Sequence, residues 1–84
     1  MIVDKDSIHK AMSEIERALC IKNLKIGFYP NANDKVLIVH SQSFAELNHF
    51  KRHKILCTVL DILKANKLIY IDTFFSGAAL RIYF

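Results

Sequence analysis

Between Lys35 and Leu63 the chain changes its hydrophobic period, and that change restricts the folds open to it. Lys35 to His40 is β-branched and nearly continuously apolar, the composition of a central strand covered on both faces. Farther on, Ile55, Leu56, Val59, Leu60, Ile62 and Leu63 share one broad arc at the helical rotation of about 100° per residue, while Lys51, Lys54, Thr58, Asp61 and Lys64 take the other. A strand therefore feeds a helix whose apolar side needs a sheet to lie on.

The flanking segments supply the rest of that sheet. Asp6 or Ser7 can cap a first helix in which Ile8, Ala11, Met12, Ile15, Ala18 and Leu19 recur at three- and four-residue spacing. Leu24, Ile26 and Phe28 alternate with Lys25, Gly27 and Tyr29, the period of a strand buried on one side. Residues 30–34 read as a turn closing a hairpin with the next strand. The second helix starts between Leu47 and Phe50 and ends near Ala65, with Asn66 as its cap. Leu68 to Phe75 has the Ile, Tyr, Thr and Phe content of a strand. Ser76-Gly77 offers a tight reversal into a further strand, where Leu80, Ile82 and Phe84 alternate with Arg81 and Tyr83. The fold class is α+β: a small two-layer sandwich of order α-β-β-α-β with an additional C-terminal strand and both helices on one sheet face. Residues 1–84 are read as a single domain. An apolar terminal strand invites edge pairing.

An apolar content of 52% with 2 Gly and 1 Pro excludes a disordered chain. The apolar runs are far shorter than a membrane span requires, and Asp4 and Asp6 stand where a signal peptide would be basic, so the expected location is cytoplasmic with no membrane partner. Cys20 and Cys57 are expected to be free, buried thiols.

No Gly-rich phosphate loop, paired-Cys zinc pattern or nucleophile–base constellation occurs, and the chain is read as non-catalytic. The net charge of +4 concentrates in Lys51, Arg52, Lys54, Lys64 and Lys67, set against Glu46 and Asp61. These cations, with His53, form the candidate surface for nucleic-acid phosphates or an acidic partner. The competing explanation is a solvated helix face. His49, His53 and Cys57 are spaced i, i+4, i+8, so a helix would carry two imidazoles and a thiol along one stripe, a weak candidate for a soft metal. His40 at a strand end and His9 on the first helix read as structural and surface residues.

Val36 to Val39, Ser41, Phe44, the Arg52-His53-Lys54 triplet, Ile55 and Leu60 follow one another at the spacing seen in the BolA family, which this stretch resembles. The resemblance implies a class II KH-like fold with αββαβ at its centre. It also implies a non-catalytic partner of monothiol glutaredoxins in iron–sulfur cluster assembly or in redox and stress regulation. The alternative it implies is a KH-like, DNA-binding transcriptional regulator using the same basic surface. It marks His53 as a structural and partner-facing residue. The family's cluster ligands fall in the loop between the first two strands and just before the strand after the second helix. Here those places hold Pro30-Asn31-Ala32-Asn33-Asp34 and Leu68 or Ile69, so no cofactor is expected in the isolated chain and a cluster would have to be shared with the glutaredoxin. Glu46 replaces the family's Gly, no GxxG loop is present, and the tail reads Arg81-Ile82-Tyr83-Phe84 in place of a Thr-Pro segment ending in Trp.

Overall fold

The computed structural model describes residues 4–30 and 35–84. The element order is α1 (Lys5–Leu19), β1 (Lys25–Pro30), β2 (Lys35–His40), a 3-10 turn (Gln42–Glu46), α2 (His49–Ala65), β3 (Asp72–Ser76) and β4 (Ala79–Tyr83). The α+β class and the α-β-β-α-β-β order agree with the expectation. A helix followed by two paired strands occurs twice, and the two units join where β2 meets β4.

α1 begins two or three residues earlier than expected because Asp4, not Asp6 or Ser7, is its cap. The Asp4 carboxylate accepts from the Asp6 N–H (3.3 Å) and from the Ser7 hydroxyl (3.0 Å). Cys20 closes the helix in the left-handed region, its N–H donating to the Glu16 carbonyl. At the far end of α2 the Lys67 N–H donates to the Lys64 carbonyl and the Leu68 N–H to the Leu63 carbonyl, with Lys67 at φ 59°. This is the Schellman pattern, in which the residue after the left-handed one tucks its apolar side chain back onto the helix. Leu68 accordingly sits in the core. That requirement corrects the expectation of a strand from Leu68: β3 starts at Asp72, and Ile69, Tyr70 and Ile71 lie exposed in the connector.

The strands form one antiparallel sheet of order β1-β2-β4-β3. β4, expected as a terminal edge, is interior, and β1 and β3 are the edges. Gly77 serves the β3–β4 pairing: Ser76 pairs with Ala79 around a two-residue loop, and Gly77 takes φ +57°, the sign that the first position of a type II′ hairpin turn demands. The reversal thus lies at Gly77-Ala78, one residue beyond the expected Ser76-Gly77. The turn expected after Pro30 falls on residues 31–34, outside the described residues.

Register assigns the side chains to two faces. Leu37 and Val39 face Ile82 and Leu80 across β4, and with Phe44, Ile8, Ala11, Ile15, Val59, Leu63 and Leu68 they form the core beneath the helices. The opposite face holds the row Gly27–Ile38–Arg81–Phe74 and the row Tyr29–Val36–Tyr83–Asp72. Neither described helix covers it, so β2 is sheltered on one face and not on both as its composition suggests. Val36 and Ile38 are half-buried, whereas Leu37 and Val39 are fully buried.

Candidate docking surface on the second helix

The residues from Ser41 to Arg52 build the junction that aims α2. Ser41, buried at the end of β2, donates its N–H to the Ala78 carbonyl (2.9 Å), and its hydroxyl accepts from the Ser43 N–H (3.3 Å) to cap the 3-10 turn. Phe44 is fully buried and meets Phe75 edge-on at 5.3 Å. Asn48 then caps α2 by accepting from the Lys51 N–H at 2.9 Å.

Arg52 belongs to this junction and not to the solvated face. Its guanidinium carbon lies 4.7 Å from the Phe75 ring centroid, and Nη2 donates to the Gly77 carbonyl at 2.8 Å. The expected basic surface of Lys51, Arg52, His53, Lys54, Lys64 and Lys67 is therefore divided. Lys51 and Lys54 are exposed beside a groove between the helices lined by Leu19, Ile21, Leu47 and Ile55. Lys64 borders a different hollow. Lys67 is exposed, and its backbone serves the helix end. No continuous track of cations runs along α2.

His49 is the first residue of α2, half a helix from the thiol it was grouped with. His53 and Cys57 do meet, with Nε2 3.5 Å from Sγ, both residues exposed. Among the described residues no three His, Cys, Asp or Glu side chains converge on a point that an ion could occupy. At the positions where the resemblance puts cluster ligands, Leu68 is a core hydrocarbon and Ile69 an exposed one. Leu68 and Ile69 carry no donor atom, and the His53–Cys57 pair supplies two, an imidazole and a thiol. The cysteines are free as expected, yet both are exposed and not buried. Cys20 lies past the end of α1, where its thiol donates to the Arg17 carbonyl at 3.0 Å. Cys57 lies on the outer flank of α2.

That outer flank is where the structure adds to the sequence reading. Phe50 is 70% exposed, and Cys57 follows it by two turns on the same side of the helix. Beyond Cys57 the flank runs into a hollow of about 430 Å³ lined by Cys57, Leu60, Asp61, Lys64, Leu68, Ile69 and Tyr70. Ile69 and Tyr70 are 66% and 40% exposed. The result is an aromatic and aliphatic strip with Lys54, Asp61 and Lys64 along it. The signal for Phe50 was present in the sequence: nine residues before Val59, it points about 180° away from it on a regular helix. The signal for Ile69 and Tyr70 was hidden by their strand-like composition.

Compared with family models, curated proteins and solved structures, the chain finds no match in any of the three.

Proposed function

We propose that this protein is a non-catalytic partner that docks a monothiol glutaredoxin through the outer flank of α2 and the connector that follows it. The observation that carries this reading is the exposed strip of Phe50, Cys57, Ile69 and Tyr70. A domain this small gains stability by burying such side chains, and a patch of exposed large apolar groups rimmed by charge is the usual mark of a protein-binding surface. Phe50 has the features of an anchor, a large ring with charged and polar neighbours that can shed water when a partner covers it. The BolA-like arrangement of Ser41, Phe44 and Arg52-His53-Lys54 supplies the class of partner, and Ser41, Phe44 and Arg52 make a junction that holds α2 in place. His53, facing out beside Cys57, fits the partner-facing role that the resemblance gives it. The chain contributes surface to the complex; Leu68 and Ile69 contribute no ligand to a cluster.

Titration calorimetry with a monothiol glutaredoxin tests the reading. Phe50→Ala should weaken binding at least about tenfold, as loss of an interfacial aromatic anchor does, with an unchanged far-ultraviolet circular dichroism spectrum. Lys51→Ala, turned about 100° from Phe50 toward the groove between the helices, should leave affinity within about twofold. Equal affinities for Phe50→Ala and the parent, or no binding by the parent, would refute the assignment.

A further inference from the structure

We infer that the uncovered face of the sheet binds single-stranded nucleic acid, on a side of the molecule separate from the α2 strip. Sheet register brings together on this face Tyr29, Tyr83 and Phe74 with Lys25, Arg81 and His40. Tyr29 and Phe74 are 52% and 55% exposed, although each could be hidden by a shift of one residue in register. Arg81 lies in the row between Ile38 and Phe74, and Tyr83 in the row between Val36 and Asp72. Asp72, at the β3 edge, is the acid that these rows present against Lys25 and Arg81.

The local geometry fits a nucleobase. A Cβ added to Gly27 would stand 2.9 Å from the Tyr29 hydroxyl and 3.1 Å from two of its ring carbons. The Tyr29 ring therefore lies over the bare backbone of Gly27, held along the sheet and not projecting from it. Beside it a hollow of about 360 Å³ is bounded by Lys25, Gly27, Tyr29, Ile38 and His40. Such a space accepts a flat base against the tyrosine, with Lys25 at its rim for the phosphate and His40 able to hydrogen-bond to a base edge. Tyr83 and Phe74 continue the aromatic surface toward β3, and Arg81 lies among them. Three aromatic rings with Lys25 and Arg81 on an open sheet match the chemistry of an unpaired strand, whose bases offer faces and whose backbone offers negative charge. A duplex hides its base faces and cannot use the rings.

Fluorescence anisotropy with labelled twelve-nucleotide oligo-U and oligo-dT, a duplex of equal length and uridine monophosphate as competitor tests this proposal. Both single strands should bind, at least tenfold more tightly than the duplex or the mononucleotide. Tyr29→Ala and Tyr83→Ala should each weaken binding at least fivefold, the range of a lost base stack. Gly27→Ala, which displaces the Tyr29 ring without removing it, should weaken it similarly. Lys51→Ala with Lys54→Ala, or Phe50→Ala, should change it less than threefold, so that failure here and failure of the glutaredoxin reading are told apart. Amide shift mapping on the unaltered protein should concentrate on Gly27, Tyr29, Ile38 and Arg81, which keeps the test valid if a variant folds poorly. Equal binding of duplex, mononucleotide binding as tight as the strand, shifts confined to α2, or self-association that covers the face and excludes the strand would each overturn the inference.

Discussion

Arg52 lies over Phe75, its guanidinium 4.7 Å from the ring centroid, while the same side chain reaches the Gly77 carbonyl at 2.8 Å. One residue of α2 thereby clamps both the strand and the turn of the β3–β4 hairpin. Arg52→Ala should cost about 1 to 3 kcal/mol of stability, combining a partly desolvated cation–π contact with a charged hydrogen bond. Arg52→Lys keeps the charge but loses the planar fork, so it should recover less than half of that loss. Lys51→Ala should stay within about 0.5 kcal/mol. Urea denaturation of the three variants checks the ordering, and equal midpoints for Arg52→Ala and Lys51→Ala would show that the clamp adds nothing.

Leu63 lies deeper than Leu60 on the apolar arc of α2. It is fully buried, whereas Leu60, on the same arc, is half-buried beside the hollow that reaches Tyr70. Leu63→Ala should destabilise by about 2 to 5 kcal/mol and Leu60→Ala by less than half as much. Reversal of that order in thermal or chemical unfolding would contradict the placement of α2.

Gly77 separates a steric cost from a conformational one. It holds φ +57°, and nothing lies within 4 Å of where a Cβ would be. Gly77→Ala should therefore cost about 1 to 2 kcal/mol through backbone strain alone. Gly77→Asn should cost less, since Asn enters the left-handed region more readily. If the alanine variant were the more stable of the two, the turn would not have this geometry.

Both thiols are open to reagents in the folded state. Cys20 and Cys57 should each react with Ellman's reagent without denaturant, giving two equivalents per chain, and Cys57→Ser should remove one. A native stoichiometry below two, rising on addition of guanidinium, would place a thiol in the core.

The helices were readable because their apolar residues repeat at the helical period. The same arithmetic held the answer for Arg52: Val59 and Leu63 follow it by two and three turns, so its direction falls within about 20° of both. Its charge suggested a solvent-facing role, but the planar cation can lie on an aromatic ring at the core's margin. Leu68 to Ile71 misled for another reason, since strand composition says nothing of the apolar contact a Schellman closure needs. The lateral place of β4 had no local signal at all. Alternation shows that a segment is a strand, not which strand it joins, and so the shared face of Tyr29, Ile38, Arg81 and Phe74 emerged only with the sheet order.

The seam between β2 and β4 also bears on how the molecule folds. The β3–β4 hairpin closes through two residues and can zip early, whereas Ile38 must find Arg81 about forty positions away, a search that loop entropy slows. Two preformed helix–hairpin units would then meet edge to edge in the late step. Until they do, the inward-facing Leu37 and Val39 stand without Ile82 and Leu80, their neighbours across the seam, and this interval is when the chain is most prone to pair with another copy of itself.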